Sequence, residues 1–181
     1  HSFPTRRSSD LVDTAQPPVF GNRQEDFYYS VKDSMGRWKE RENAGKPLNT
    51  PDNEGAQSLS ADGETLYFTA CNRDYGYGMC DIYVSVRKND RWSAPVNMGS
   101  LINSKFSDKH PSISADGNSL YFASDRPGGK GDLDIWVSTR NEIGGWAPPV
   151  NLGDSINTSG VEQSPFIHPD NQSLYFSSEG Q

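Results

Sequence analysis

Hydrophobic residues in this chain fall in short runs, and each run is bounded by Gly, Asn, Asp, Pro or Ser. In residues 119–123 (Ser-Leu-Tyr-Phe-Ala) both faces of an extended chain carry apolar or aromatic side chains, which is typical of a strand in a sheet covered on both sides. Asp116-Gly117 stands just before this run and is a strong signal for a hairpin turn. Long amphipathic helical runs are absent, so the pattern predicts an all-β protein.

The same pattern returns with a period of 54 residues. Tryptophan marks it at Trp38, Trp92 and Trp146. Other members keep the spacing: Leu-Tyr-Phe at 66–68, 120–122 and 174–176, the asparagines Asn49, Asn103 and Asn157, and the acidic residues Glu54, Asp108 and Glu162. Asp81 and Asp134 are 53 apart, so one residue is lost and regained in turns, where loops tolerate it. A fixed period predicts tandem structural units.

Each unit divides into four short β runs, as at residues 111–114, 119–123, 134–138 and 146–151. Tandem four-stranded units covered on both faces predict a β-propeller, here a fragment of about three blades where closed rings have about 4–8. The expected partial propeller covers residues 26–181. Its parts are a half blade at 26–49, blades at 50–103 and 104–157, and a half blade at 158–181. Expressed alone, the chain should aggregate or swap strands, because the end units leave strand edges open.

The beginning of the chain stands apart in composition. Residues 1–11 (HSFPTRRSSDL) are basic and serine-rich, lack the apolar centre of a signal peptide, and resemble the in-frame translation of a sequencing adapter. A transit peptide is the alternative interpretation. We therefore leave residues 1–11 out of the fold as a non-native segment, and interpret residues 12–25 as a linker or the start of a blade.

Charge and hydropathy argue against two classes of function. The formal net charge of -7 argues against nucleic acid as a partner, because its recognition needs a basic surface. No apolar run approaches the length that spans a bilayer, so the sequence predicts no transmembrane segment in this fragment.

Most residues that look like a site recur from unit to unit, which favours a structural role. Asp116-Gly117 recurs as Asp62-Gly63, where aspartate bonds its own backbone and glycine accepts a positive φ. Asp134 recurs as Asp81 and Asp26, which indicates a residue that fixes the start of a strand. A catalytic group is expected in one unit only.

The sequence gives little support for a metal site or a catalytic centre. Asp125, Asp132 and Asp134 could ligate calcium together, but their spacing is not that of an EF-hand loop. His110 and His168 lack a partner at zinc spacing, and neither a nucleophile elbow nor a phosphate-binding loop occurs. The Asp-box pattern of sialidases is not met near the tryptophans. The sequence therefore predicts no catalytic residue, no metal, no cofactor and no enzyme.

Cys71 and Cys80 are the only cysteines, and they flank one loop. Cys71 ends the second strand of its unit and Cys80 precedes the third, so antiparallel pairing could bring their Cβ atoms within reach of a disulfide bond. Such a bond fits an oxidising envelope compartment. Two free thiols are the alternative.

Tyr75, Tyr77, Arg126 and Asp132 mark a candidate interaction rim. The loops that carry them join the second strand to the third in successive units, so we expect them to cluster on one rim of the ring. Aromatic residues are enriched at protein interfaces, which favours a contact surface. Ordinary loop residues are the alternative.

Several sequence segments of the repeat resemble those of a known family. Residues 111–117, 120–126 and 134–135 resemble the periplasmic WD40-like propeller repeat of TolB and of OmpA-type envelope proteins of Bacteroidota, and residues 146–153 with 162–166 are closer to the OmpA-type group. The resemblance implies a non-catalytic scaffold or binding module in envelope or secretion-system assembly, periplasmic or outer-membrane-associated in a Gram-negative cell. It implies envelope proteins or a peptidoglycan-associated assembly as partners. A serine-peptidase propeller of tricorn or dipeptidyl-peptidase type, gating a separate catalytic domain, is the alternative, and a glycan-active propeller is a third.

Overall fold

The computed structural model describes residues 25–179, and within that range every regular element is a β-strand. The strands are β1 (Tyr28–Tyr29), β2 (Glu42–Asn43), β3 (Asn53–Leu59), β4 (Thr65–Cys71), β5 (Cys80–Lys88), β6 (Arg91–Trp92), β7 (Val96–Asn97), β8 (Asp108–Ile113), β9 (Ser119–Ser124), β10 (Asp134–Thr139), β11 (Val150–Asn151), β12 (Glu162–Ile167) and β13 (Leu174–Ser178). The prediction of an all-β protein is confirmed. The described residues include no helix that could span a bilayer. Residues 1–11, interpreted as an adapter, and almost all of 12–25 lie outside the described range.

The strands of residues 25–179 form four antiparallel sheets that follow one another along the chain. One sheet has the order β8-β9-β10-β11, and another joins β3, β4 and β5 in sequence, with both β6 and β7 paired to β5. Two further sheets have two strands each, β1-β2 and β12-β13. The predicted runs at 119–123 and 134–138 correspond closely to β9 and β10.

The hydrophobic core lies between successive sheets. In the described range three clusters join one sheet to the next: Phe27 and Leu48 with Phe68 and Tyr83, Ile82 and Ile102 with Leu120 and Trp136, and Ile135 and Leu152 with Leu174 and Phe176. In β9, the neighbouring residues Phe122 and Ala123 point to opposite faces; both are fully buried, and they belong to different clusters. Each central strand therefore packs on both faces, as its apolar pattern predicts.

The repeat tryptophans have equivalent surroundings. Trp38 and Trp146 each form an antiparallel bridge with a cationic residue, Lys32 and Arg140 respectively, and Trp92 pairs with β5 in the same way. The Lys32 ammonium lies 5.0 Å from the Trp38 ring centroid, and the Arg140 guanidinium carbon lies 4.2 Å from that of Trp146. The 54-residue period of the sequence is therefore also a period of the structure.

Candidate functional site

The acidic residue of the repeat is buried at the start of the first strand of its sheet. In β8 this residue is Asp108, which is fully buried. Its carboxylate accepts hydrogen bonds from the Ser104 backbone N–H at 2.5 Å and the Ser124 hydroxyl at 2.6 Å, and it pairs with the Arg126 guanidinium at 2.5 Å. A buried charge is tolerated only with such partners. Asp108 therefore fixes the corner between β8 and the loop that follows β9.

The neighbouring repeats build the same corner. The Arg73 guanidinium pairs with the Glu54 carboxylate. Glu162 accepts hydrogen bonds from the Thr158 hydroxyl at 2.7 Å and the Ser178 hydroxyl at 2.6 Å, and no cation pairs with it among residues 25–179. Burial raises the pKa of Glu162, but the hydrogen bonds from Ser178 and Thr158 outweigh burial and lower that pKa below its usual value.

A second buried carboxylate fixes the start of each third strand. Asp134 accepts hydrogen bonds from the backbone N–H groups of Lys130 and Gly131, and the Asn151 side chain donates to it at 2.9 Å. Asp81 accepts the three equivalent bonds in the preceding repeat. These aspartates hold the loop before the strand and the last strand of the sheet together, in line with their interpretation as strand-start residues.

A recurrent asparagine completes this network. The Asn103 side chain accepts from the Ile82 N–H at 2.8 Å and donates to the Ile82 carbonyl at 2.9 Å, which imitates one step of a strand ladder. Asn49 and Asn157 make the same pair of bonds in their repeats. The polar residues that recur in the sequence therefore act as structural joints.

The hairpin turns hold a third set of aspartates. Asp116 accepts from the Ser114 hydroxyl at 2.6 Å and the Asn118 N–H at 3.0 Å, and these bonds lower the pKa of its carboxyl. The equivalent Asp170 has its pKa lowered to about 2, chiefly by the N–H of Gln172. Each aspartate therefore stabilises its turn by accepting hydrogen bonds on a charged carboxylate.

The three aspartates considered for calcium have separate roles. Asp134 is bonded as described above, Asp125 accepts from the Ser107 N–H at 2.6 Å, and Asp132 is exposed. Within residues 25–179, no group of three or more His, Cys, Asp or Glu side chains is arranged to hold a metal ion.

The predicted interaction rim is only partly assembled on the surface. Tyr75 is 94% exposed, Tyr77 is half exposed and Asp132 is exposed. The structure does not place Arg126 on this rim, because its side chain is only 12% exposed and its guanidinium turns inward to Asp108. The buried carboxylate accounts for this orientation, since it needs a cation.

The rim tyrosines lie on the loop between β4 and β5, which is fixed at its base and on one side. Cys71 and Cys80 are bonded as a disulfide, with their Cα atoms 4.0 Å apart. Gly78 touches the next repeat so closely that an added Cβ would lie 1.5 Å from the Phe106 carbonyl oxygen. The loop therefore presents its tyrosines to solvent from an anchored backbone.

The first strands of three repeats, β3, β8 and β12, line a concave inner face. A cavity of about 320 Å³ lies along this face. Its lining includes Ser58, Pro111, Ile113, Pro165 and Phe166. The inner face is thus an accessible surface of mixed polar and apolar character, contributed by three repeats.

One position of this inner face was missed by sequence reasoning. Ala56, His110 and Ser164 have left-handed backbones with φ of 47°, 56° and 54°, and each lies where the register between first and second strand shifts. The His110 N–H donates to the Thr69 hydroxyl of the preceding repeat at 2.9 Å, and burial, with the nearby Lys109, lowers the pKa of the imidazole. Glycine, the usual signal for positive φ, is absent here. The shared 54-residue spacing is the signal that could have found these residues.

Comparison with known proteins gives matches among solved structures. No protein-family profile and no curated protein sequence matches the chain. A TolB candidate from Agrobacterium tumefaciens matches with a TM-score of 0.55 and 20% identity, over 84% of this chain and 50% of that chain. TolB from Acinetobacter baumannii matches with a TM-score of 0.56 and 18% identity, over 87% and 36%. Trypanosoma rangeli sialidase has a TM-score of only 0.38, at 11% identity over 86% and 30%, and carries no argument.

These matches define the fold. The chain spans half of one TolB structure and about a third of the other. Its tandem antiparallel sheets, with a core between each sheet and the next, have the arrangement expected of propeller blades. The prediction of a partial β-propeller is confirmed, and the chain has the fold of a TolB-like propeller fragment.

Proposed function

We propose that this chain is a non-catalytic binding and scaffolding module of the Gram-negative envelope, the propeller part of an OmpA-family, outer-membrane-associated protein. The TolB-like fold supports a periplasmic location, and the resemblance of residues 146–153 to OmpA-type repeats supports the narrower family. Its partners are envelope proteins or a peptidoglycan-associated assembly.

The state of the polar groups supports binding in preference to catalysis. A general acid or base must lie within hydrogen-bond reach of a substrate and exchange a proton with it. The lone pairs of Asp108 are instead directed at Ser104, Ser124 and Arg126, and those of Asp134 at backbone N–H groups of its own loop. These bonds are repeated from unit to unit, which favours a role in the scaffold.

The observation that carries the proposal is the anchored loop that holds Tyr75 and Tyr77 toward solvent. Tyrosine offers a large contact area at low conformational entropy cost. A loop that is already fixed loses less freedom when a partner binds it. The disulfide at its base suits an oxidising compartment such as the periplasm.

Site-specific photo-crosslinking in the periplasm of a Gram-negative host tests this proposal. A photoreactive amino acid replaces Tyr75 in one variant and Ile143 in a control, because the two side chains are 94% and 93% exposed on different loops. We expect discrete adducts with envelope proteins, or retention on purified peptidoglycan, from position 75 only, and loss of these adducts on Tyr77→Ala. Equal adducts at both positions would contradict the proposal, as would no adduct from position 75.

A further inference from the structure

His110 of β8 contacts the repeat before it and the repeat after it. Its backbone N–H donates to the Thr69 hydroxyl of the preceding repeat at 2.9 Å, and its imidazole Nδ1 accepts the Ser164 N–H of the following repeat at 3.3 Å. Ser164 is the equivalent of His110 in β12, 54 residues later, and both residues have the left-handed backbone of the bulge. His110 therefore links three successive repeats along the inner face.

The N–H group of this left-handed residue is bonded to a different acceptor at each of the two contacts. Between β3 and β8 the His110 N–H has the hydroxyl of Thr69, and position 56, the equivalent of His110, is an alanine without a side-chain acceptor. Between β8 and β12 the equivalent of Thr69 is Ala123, which has no hydroxyl, and the His110 imidazole accepts instead. A threonine hydroxyl does not titrate in the physiological range, whereas an imidazole does. The β8–β12 contact therefore includes an acceptor that a proton can block.

The imidazole of His110 lies in uncharged surroundings apart from Lys109. It borders a cavity of about 190 Å³ on the inner face, whose other lining residues are Ala56, Gln57, Pro111, Ser164 and Pro165. The strands packed against β8 carry the carboxylates of Glu54, Asp81 and Glu162, β8 itself carries Asp108, and all four are bonded in the buried networks described above. Arg87 and Lys88 lie at the exposed end of β5. Burial lowers the pKa of the imidazole, and Lys109 lowers it further, so His110 is neutral at neutral pH.

We propose that His110 makes the β8–β12 contact acid-sensitive. The neutral imidazole carries its proton on Nε2, which leaves Nδ1 free to accept the Ser164 N–H. In acid a proton from solvent binds Nδ1, the hydrogen bond to Ser164 breaks, and the imidazolium repels the Lys109 ammonium. Because the pKa is lower in the folded chain than in the unfolded chain, where it is about 6.5, the contribution of His110 to stability is present above about pH 6.5 and is lost as the pH falls through the folded-state pKa. The first strands β8 and β12 then separate more readily, and the inner face gains a positive charge.

Two backbone amides form a matched pair of reporters for this proposal. The Ile167 N–H donates to the Ser112 hydroxyl across the β8–β12 contact, and the Ile113 N–H donates to the Ser58 hydroxyl across the contact between β3 and β8, both at 3.0 Å. Hydrogen exchange of the 181-residue chain, followed by NMR, gives a protection factor for each amide. The ratio of the Ile167 factor to the Ile113 factor should fall roughly tenfold from about pH 7.5 to about pH 5, which is the effect expected from one lost hydrogen bond. An unchanged ratio would overturn the proposal.

Variants at position 110 separate this mechanism from a general effect of acid. His110→Asn keeps an acceptor that does not titrate, in a residue that tolerates the left-handed backbone, so the ratio should no longer depend on pH. His110→Ala introduces the residue found at position 56, lacks the acceptor and should give a low ratio at every pH, and it also covers the case in which the asparagine variant fails to fold. His168→Gln is the matched control, because the contacts of His168 with Asp170 and Tyr175 lie within one hairpin, and it should keep the wild-type fall. The same fall in His110→Asn, or its loss in His168→Gln, would refute the role of His110.

Discussion

Replacing Arg126 by methionine should destabilise the chain by about 3–5 kcal/mol, because removal of one partner leaves a buried charge uncompensated. Asp108 is fully buried, and its other hydrogen-bond donors, Ser104 and Ser124, are neutral. The arginine side chain is 12% exposed, so water cannot readily take its place. Methionine retains most of the apolar stem, which confines the change to the charge and its hydrogen bonds.

A surface ion pair of the same chain provides the control. Lys130 and Asp154 are also 2.5 Å apart, but both side chains are exposed. Exposed pairs contribute only about 0.2–1 kcal/mol, so Lys130→Met should have a small effect. Because the two pairs have the same separation, the difference between the two variants measures the effect of burial.

Urea unfolding followed by tryptophan fluorescence, at one fixed protein concentration, would give the free energy of unfolding of each variant. Asp108→Asn combined with Arg126→Met completes a double-mutant cycle, and the coupling between the two sites should be about 2 kcal/mol or more. Additive effects, or an Arg126→Met variant within about 0.5 kcal/mol of Lys130→Met, would refute the assignment of this ion pair as a structural joint.

Three further predictions concern the joints between repeats, the acid stability and the disulfide. Gly131→Ala should lower the melting temperature much more than Gly145→Ala. An added Cβ at position 131 would lie 2.0 Å from the Gly160 carbonyl oxygen of the next repeat, whereas at position 145 it would lie 3.3 Å from the flexible Asn141 side chain. Similar melting temperatures for the two variants would contradict this. Because the pKa of Glu162 is lower in the folded state, its contribution to stability is present above the unfolded-state pKa and is lost as the pH falls below about 4.5 toward the folded-state pKa. Urea midpoints should therefore decline less steeply between about pH 5 and 3 for Glu162→Gln than for the wild type. Parallel declines of the two proteins would count against this role of Glu162. In protein expressed in the periplasm and alkylated without reductant, mass spectrometry should find neither Cys71 nor Cys80 labelled, and full labelling of both would exclude the bond.

The central strands could be predicted from sequence because the turn signals and the apolar runs agree. The run at 119–123 corresponds to β9, and Gly117, at a φ of 72°, forms the turn before it. The first strand begins earlier than its predicted run, since Asp108 and Lys109 pair with β9 but give no apolar signal. The fourth run shortens to β11, because Trp146 joins its neighbour only through an isolated bridge.

The candidate site was less predictable because contacts between repeats decide it. The sequence places Tyr75 and Arg126 on equivalent loops of successive repeats, but the direction of each side chain depends on the residues that lie beneath it. Arg126 turns inward to a carboxylate 18 residues earlier in the chain, whereas Tyr75 is 94% exposed and no hydrogen bond holds its side chain within residues 25–179. The His110 backbone N–H likewise donates to a hydroxyl 41 residues away, a contact that no local pattern encodes.

The inner face shows how the repeats can differ in side chains without differing in fold. Positions 56, 110 and 164 share one left-handed backbone conformation and yet carry Ala, His and Ser. That conformation costs a residue other than glycine roughly 1–2 kcal/mol, and bonds such as that from the His110 N–H to Thr69 help to offset it. Since the backbone donor is independent of the side chain, the residue at this position can change while the bulge persists. Asp108 and Asp134 cannot be replaced so freely, because their carboxylates themselves accept the hydrogen bonds that hold the sheet together. The side chains that can differ among the repeats without loss of the fold therefore include those of the inner face, whereas the side chains of Asp108 and Asp134 hold each sheet together.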